Sequence, residues 1–521
     1  MKLNYKRTVC VGFAFFLICA FWQAYDNTIP LILTNKFGMR QAWSGVIMSI
    51  DNILALFMLP LFGAISDRRR SRLGRRTPFI LVGTIVAAAA LICLSFADNV
   101  QLKNIGAVSA IDDPAALTAI YDAEADETLM TPDGRRFVLS EEFSREEFAA
   151  IPSQIEVRTY DFKGGVITNP DYTDYVVPAR QAFAQAATRA HPGALIAFVA
   201  LLLVALVSMA VFRSPAVALM PDVTIKPLRS KANAVINLMG SFGGILVLAL
   251  GMVFATSALR NSLMSYTGYF GVIALVMLAA LAIFMLTVRE PRFVREMEEQ
   301  SRRFGIEDGA EDAAGEKRRL SPAERRSLFF LLASIVLWFF GYNAVTSKYS
   351  VYASNILHKD YNLTLIIAQA AAIVAYLPVG IVSSKVGRKK AILAGVVMLT
   401  VAFGAAGFMR ADSPTLLMNC LFALAGVAWA TINVNSFPMV VEMCSGADVG
   451  KFTGFYYTAS MAAQVATPML SGYLMDRLGM TIIFPYAAIF VVLAFVTMLF
   501  VKHGDSKPVA KRGLEALDAG D

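Results

Sequence analysis

Apolar residues are gathered along this chain in long blocks, rather than alternating as in a half-buried strand or recurring on one face as in a soluble helix. About twelve such blocks of roughly 20 residues follow one another, near 8–33, 42–66, 77–97, 193–220, 233–258, 267–288, 327–350, 362–384, 391–409, 415–440, 450–474 and 481–501. A helix of that length crosses the hydrocarbon core of a bilayer, so the pattern predicts an all-α membrane protein. The first residues, Met1 to Lys6 and the apolar run after them, have the outline of a secretory signal. No small-residue cleavage site follows and the run continues to Leu33, so it counts as the first span.

Two of the polar turns nearly repeat each other. Gly63-Ala64-Ile65-Ser66-Asp67 leads into the cationic stretch 68–76, which holds Gly74, and Gly380-Ile381-Val382-Ser383-Ser384 leads into 385–390, which holds Gly387. A membrane hairpin with Lys and Arg in its turn has been duplicated, which predicts twelve transmembrane helices in two pseudo-symmetric six-helix bundles. The turns lie roughly 313–317 residues apart, whereas a second matching pair, 213–232 and 435–454, is offset by only about 222. An insertion of about 91–95 residues in the first half accounts for the difference. The polar stretch 98–192 has that length. The organisation expected is helices 1–3 of the first bundle over 1–97, an insertion over 98–192 and helices 4–6 over 193–288. A linker over 289–326, the second bundle over 327–501 and a tail over 502–521 follow.

Composition agrees, since 57% hydrophobic and 17% charged residues are too apolar a mixture for an ordinary soluble protein. The net charge of +8 is mostly topological: Lys2, Lys6, Arg7 and the clusters in 68–76, 226–231, 289–326, 385–390 and 502–512 all fall on one side if the spans alternate. That places both termini in the cytoplasm of a multi-pass protein of the cell membrane, with the lipid bilayer as solvent. Cations dispersed through loops, with no DNA- or RNA-binding motif, predict no nucleic-acid partner. Cys10, Cys19, Cys93, Cys420 and Cys444 fall in or beside apolar blocks and offer neither a disulfide framework nor a metal cluster. With no phosphate-binding Gly-x-x-x-x-Gly-Lys-Ser/Thr loop, catalytic triad or zinc motif, the chain reads as neither an enzyme nor an ATP-driven pump. No cofactor or metal is expected.

The insertion faces outward in this topology and is acidic, with Asp112, Asp113, Glu124, Asp126, Glu127, Glu141, Glu142, Glu146 and Glu147 among its charges. Strand-like composition at 136–139 and 155–162 and a helical stretch at 178–189 predict a small α+β domain. A surface cap is the expected role, in preference to a substrate-capturing lid. The linker mixes Glu298, Glu299, Arg302 and Arg303 with Glu307, Asp308, Glu311 and Asp312, which suits an amphipathic helix followed by an acidic tether.

Ionisable groups at membrane depth are costly unless they pair or line a wet cavity. Asp26, Asp51 and Arg213 meet that condition, all in the first half. A carboxylate there can take up and release a proton as an arginine leaves and approaches, which is what a coupling group requires.

The element Pro60, Gly63, Ser66-Asp67-Arg68, then Arg72-Leu73-Gly74-Arg75-Arg76-Thr77-Pro78-Phe79-Ile80, resembles the second-to-third helix signature of the major facilitator superfamily. The form is that of sucrose/proton symporters and glycoside–pentoside–hexuronide:cation symporters, and the turn from Gly380 through Gly387 and Arg388 is similar to the general version. The resemblance implies conformational control by a latch of Gly63, Asp67, Arg68, Arg72, Gly74, Arg75 and Arg76, with Gly380, Gly387 and Arg388 in the second copy. Asp67 would pair with nearby arginines and sit against the positive N-terminus of a helix from the other half. Ser384 replaces the acid in the second turn, so that latch is expected to be weaker. Where sodium-using relatives carry two carboxylates one helical turn apart, this chain has Ala55 and Leu59, which argues for protons as the coupling ion.

A sugar substrate, which the resemblance implies, needs amides for its hydroxyls and rings for its C–H face. Candidates are Trp22, Gln23, Tyr25, Asn52, Asn237, Tyr342, Asn343, Gln369, Trp429, Asn433, Tyr456 and Gln464. Any single one is more readily explained by helix packing than by ligand contact; the set is drawn from both halves. The function expected is proton-coupled import of a sugar or glycoside by a monomeric secondary transporter. Alternatives are an exporter or exchanger of another small organic solute, and a membrane sensor that binds its ligand in the insertion.

Overall fold

The computed structural model describes residues 3–69, 71–158, 164–225, 228–303, 320–441, 443 and 449–504. Ten helices among them are long and apolar enough to cross a membrane. They are α1 (Tyr5–Asn35), α2 (Gln41–Arg68), α3 (Thr77–Asn104), α8 (Gly193–Asp222), α9 (Arg229–Val253), α10 (Thr267–Thr287), α12 (Pro322–Tyr352), α14 (Arg388–Ala406), α15 (Thr415–Val441) and α17 (Ile483–Leu499). Two further long helices, α13 (Tyr361–Val386) and α16 (Val449–Leu478), stand among them in chain order. In a bilayer every backbone group must be satisfied within the segment, which makes helices the available solution for these apolar blocks. Pro30, Pro60, Pro378, Pro438 and Pro468 interrupt the ladders of five of them without ending the helix.

Two apolar cores follow the two halves of the sequence. Phe21, Leu94, Phe198, Phe212 and Phe270 centre the first, built from α1, α2, α3, α8, α9 and α10. Trp338, Tyr352, Leu399, Phe484 and Val491 centre the second, built from α12 to α17. The halves meet where α2 packs on α16, α1 on α12 and α9 on α13. The α2–α16 seam is tight at one end only. A Cβ on Gly45 would lie 2.0 Å from the Pro468 carbonyl oxygen, and one on Gly472 2.3 Å from that of Gln41. Ser49 Oγ donates to the Val465 carbonyl at 2.8 Å. Towards the basic turn the seam parts: Leu56 is 44% and Leu61 54% exposed, and nothing approaches within 4 Å of a Cβ built on Gly454.

α3 runs on to Asn104, beyond the block that ended at 97, because its polar residues find partners inside the protein. Asp98 and Lys36 are both 0% exposed, and Lys36 Nζ meets the Asp98 carboxylate at 2.6 and 2.7 Å and the Met264 carbonyl at 2.7 Å. Gln101 donates to the Lys36 carbonyl and to Thr188 Oγ1, both at 2.8 Å.

Between α3 and α8 the chain folds around its own apolar cluster, which includes Ile120, Phe137, Leu139, Phe148 and Tyr172. Its elements are α4 (Pro114–Glu124), the hairpin β1 (Thr128–Met130) and β2 (Arg136–Val138), the short helices α5 (Leu139–Glu142) and α6 (Arg145–Ala149), the hairpin β3 (Gln154–Arg158) and β4 (Gly164–Thr168), and α7 (Val177–Ala190). Both hairpins are antiparallel, with Leu129 opposite Phe137 and Ile155 opposite Ile167. The strand expected at 136–139 is present as β2, and that expected at 155–162 as β3 up to Arg158, beyond which 159–163 lie outside the described residues. The segment touches both halves. α7 is held to the first by Gln181 Nε2 donating to Asn35 Oδ1 at 3.0 Å. The β1–β2 turn is held to the second, where Met480 N donates to the Pro132 carbonyl at 2.6 Å. Gly134 (φ 103°) and Gly479 (φ 89°) face each other there, and a Cβ on either would come within 2.6 Å of the opposite backbone.

Of the linker, α11 (Glu290–Arg303) is amphipathic as expected, burying Met297 beside Ile225 and Leu228. Glu307, Asp308, Glu311 and Asp312 lie outside the described residues, as do Lys226, Cys444 and the tail from 505. α12 begins at Pro322, five residues ahead of the apolar block, because Ser321 and Glu324 form a capping box.

Removing one partner of a buried ion pair strands the other charge. Asp98→Ala should therefore lower stability by about 3–5 kcal/mol, while Lys36→Met with Asp98→Leu should cost much less. Chemical denaturation in detergent compares the two. In α4, burial, reinforced by Glu127, pushes the Glu124 carboxyl up to about 7. The folded segment then holds a proton the unfolded chain has released, so its stability should fall as pH rises from about 4.5 through 7. Glu124→Gln should flatten that profile in pH-dependent melting.

Candidate functional site

The two halves enclose a central cavity of about 550 Å³. α1 contributes Trp22, Gln23, Asp26 and Asn27, α2 contributes Asp51 and Asn52, and α8 contributes Arg213. From the other half come Tyr342 and Asn343 of α12, Gln369 and Tyr376 of α13, Trp429 of α15 and Gln464 of α16. Each position is a polar or aromatic residue within an otherwise apolar helix, which is the environment that retains such groups at membrane depth.

Three clusters organise the walls. Tyr342 and Trp429 stack with ring centroids 3.6 Å apart and planes within 5°, making a flat aromatic surface on the second half. On the first half Asp51 accepts from Asn52 Nδ2 at 2.8 Å, Asp26 opens to the cavity, and the Arg213 guanidinium lies 5.6 Å from the Trp22 ring centroid. Between the halves Gln369 Nε2 donates to Gln23 Oε1 at 2.5 Å. Gly244 of α9 leaves room for that pair, since a Cβ there would lie 3.1 Å from Gln369 Oε1 and 3.3 Å from Gln23 Oε1. The indole Nε1 of Trp22 and the Nδ2 of Asn343 are buried donors with no partner among the described residues. The arrangement can hold a ring against Tyr342–Trp429 while amides from both halves reach its polar groups.

The structure brings together Asp26, Asp51 and Arg213 with Trp22, Gln23, Asn52, Tyr342, Asn343, Gln369, Trp429 and Gln464. Four other sequence candidates lie off the cavity lining. Tyr25 is buried behind Trp22, with its hydroxyl donating to the Met48 carbonyl at 3.4 Å. Asn237 donates to the Asn233 carbonyl in its own helix at 2.9 Å. Tyr456 pairs with Ser436 at 3.2 Å, and Asn433 hydrogen-bonds the Tyr376 side chain. Asn27 and Tyr376 line the cavity without having been singled out in the sequence. Their only sequence signal was the one the candidates shared, a polar or aromatic residue inside a span.

The cationic turn is organised around Arg76, whose side chain is 6% exposed. It pairs with Asp67, meets Ser66 Oγ, and reaches Asp222 at the end of α8 at 2.8 Å. Arg75 reaches Asp222 at 3.4 Å. Glu290 caps α3, accepting from the amides of Arg75, Arg76 and Thr77 at 2.6, 3.0 and 2.8 Å and from Thr77 Oγ1 at 2.8 Å. Gly74, at φ 112°, permits this, since a Cβ there would lie 2.3 Å from the Glu290 carboxylate. Arg68 and Arg72 are exposed. Asp67 is 58% exposed, and its recorded ion pair is within its own half. In the second turn Gly387 takes φ 100° between α13 and α14, and the space beside Gly380 is open. Arg388 is half-buried at the start of α14. Sequence reasoning missed Asp222 and Glu290, which come from the end of α8 and the start of α11, far along the chain, and carry no local mark.

Two helical bundles around a polar cavity, the first carrying a basic turn between its second and third helices, are the architecture of a membrane transporter. The model of the Major Facilitator Superfamily matches residues 181–375 and 350–519, and one described as MFS/sugar transport protein matches 10–106. The chain belongs to the Major Facilitator Superfamily. It is similar to a general alpha-glucoside permease of Schizosaccharomyces pombe, 31% identical over 67 residues that make up 13% of this chain and 12% of that protein. A sucrose transport protein of Arabidopsis thaliana is 34% identical over 65 residues, 12% of this chain and 13% of the relative. The chain thus matches only a small part of the length of these curated relatives. Across the whole fold it resembles the inward-open xylose transporter from E. coli, with a TM-score of 0.59, 14% identity and 99% of each chain covered. A bacterial homologue of the iron transporter ferroportin in its inward-facing state gives 0.58 at 11% identity, covering 96% of this chain and 99% of that one.

Proposed function

We propose that this transporter imports a sugar or glycoside together with protons by alternating access. It would work as a monomer in the cell membrane, with twelve spans, both termini in the cytoplasm and the segment between α3 and α8 as an outward-facing inserted domain. The observation that carries the reading is the cavity itself. A stacked Tyr342–Trp429 surface faces two carboxylates and an arginine, with Gln23, Asn27, Asn52, Asn343, Gln369 and Gln464 as amides around it. Polyols are recognised by such a mixture, because amides serve hydroxyls as both donor and acceptor while a ring face covers C–H groups. Met and Phe are confined to Met48, Phe403 and Phe422 in the lining, fewer than the amides, while Ile18, Val345, Leu365 and Ile373 complete an apolar wall. The alpha-glucoside and sucrose specificities in the relatives' names point to the same substrate class.

Asp26 and Asp51 are the proposed proton carriers, with Arg213 as the cation that competes with the proton. With Ala55 and Leu59 apolar, α2 lacks the pair of carboxylates one turn apart that would favour sodium. Asp67, with Arg76 and its neighbours, is proposed to engage α16 when the basic-turn side closes.

Radiolabelled mono- and disaccharides tested in proteoliposomes should identify a substrate whose uptake rises with an inward pH gradient and is indifferent to sodium. Asp51→Asn should abolish accumulation against a gradient while retaining downhill exchange, because neutralising the carrier removes coupling before binding. Strict sodium dependence would overturn the assignment. Asp67→Ala should slow uptake several-fold by shifting the balance of states, changing substrate affinity only through that shift. Uptake at the parental rate would show that Asp67 is no latch.

A further inference from the structure

The six residues that end α2, Gly63-Ala64-Ile65-Ser66-Asp67-Arg68, have a counterpart that the duplicated turns do not include. α16 ends in Gly472-Tyr473-Leu474-Met475-Asp476-Arg477, with the glycine, aspartate and arginine at the same spacing. Each helix is followed by a turn that uses a glycine at positive φ, Gly74 at 112° and Gly479 at 89°. The two elements lie at opposite ends of the seam between the halves. Asp67 is beside the basic turn, whereas Asp476 touches the first residues of α2.

Their states differ. The Asp476 carboxylate accepts from the Gln41 amide at 2.7 Å and the Ala42 amide at 2.8 Å, capping the N-terminus of α2 from the other half of the protein. The free amides and the helix dipole at that end both favour an anion. From α12, the buried Lys348 donates to the Gln41 carbonyl at 2.8 Å and to its Oε1 at 3.3 Å, fixing the residue that Asp476 holds. Gly472 lets the backbones touch at the same place. Asp67, by contrast, is mostly exposed and paired within its own half, and the start of α16 stands open at Gly454.

We infer that Asp476 is the positioning residue of a second latch, which holds the insertion side shut by capping α2 and works in opposition to Asp67. Where Asp67 at the end of α2 would grip the start of α16, Asp476 at the end of α16 grips the start of α2. A rigid pair of helices can satisfy one grip at a time, so the two carboxylates set the balance between the states from opposite ends. Lys348 supports the insertion-side grip through Gln41. The inference rests on the alternating-access reading above.

Gly45, Ser49 and Leu56 lie on one face of α2, the first two packed on α16 and the third exposed where the seam has parted, which supplies two reporters. Ser44, beside the closed end, is 0% exposed. In protein whose five native cysteines are replaced by serine, Ser44→Cys and Leu56→Cys are labelled separately with a water-soluble maleimide. Folding is checked by gel filtration. Asp476→Ala should raise the labelling rate at position 44 several-fold and lower it at 56; Asp476→Asn, which keeps one acceptor and the side-chain shape, should do so to a smaller extent. Asp67→Ala should move both rates the other way, and the double variant should return towards the parental values. If both sites label faster in a folded Asp476→Asn variant, the residue merely supports packing and the inference is overturned. It is also overturned if Asp67→Ala shifts the two sites oppositely while neither Asp476 variant does, and alternating access then stands. If the sites never move in opposition in any variant, alternating access itself fails.

Discussion

The two bundles share one cavity and meet most extensively where α2 packs on α16, and on the proposed alternating-access reading this contact decides which end is open. Everything that positions the cavity is arranged about this seam. Gly45 and Gly472 bring the backbones together on the insertion side, and Ser49, Asp476 and Lys348 add polar contacts there. Across the seam, close backbone packing at Gly45 and Gly472 is combined with directional polar contacts, so changes there can alter how the two bundles meet. The segment between α3 and α8 touches both bundles, through α7 on one and the β1–β2 turn on the other, and so adds to the contacts across the tight end of the seam.

Much of this fold could be read directly from the residues, for a physical reason. In lipid a spanning segment must be a helix, so the blocks of apolar sequence locate α1 to α3, α8 to α10 and α12 to α17 within a few residues. The offset between the repeated turns predicts an addition at 98–192, where the chain between α3 and α8 gathers its own apolar cluster. What the residues could not give was direction. A helix that is apolar all round has no periodic stripe to tell its cavity face from its lipid face, so depth could be read and orientation could not. Gln23 and Tyr25 illustrate the loss: both are polar or aromatic at similar depth in α1, yet Gln23 lines the cavity and Tyr25 packs behind Trp22. Partners that meet only after folding were invisible for a related reason. Nothing near Lys36 announces Asp98, nor does anything near Arg76 announce Asp222 or Glu290.

The cationic turn carries a similar lesson at shorter range. Its arginines are conspicuous in the sequence, but their work is unequal. The Arg76 side chain is buried among acceptors from α2 and α8, while Arg68 and Arg72 face outward, where basic residues anchor a span and fix its orientation. Glu290, the first residue of α11, ties the linker helix to the start of α3. The connection between the bundles is therefore attached to the same turn that holds Asp67 and Arg76.

The hydrogen bond between Gln23 and Gln369 crosses from one bundle to the other, with one amide donating and the other accepting. On the proposed reading of the cavity, an entering molecule would have to replace that bond on both sides at once. A polyol can, because each hydroxyl both donates and accepts. A hydrocarbon of the same size would separate the amides and return nothing. Discrimination of this kind would rest on a bond the protein makes with itself, and it would reject an apolar solute before shape is tested.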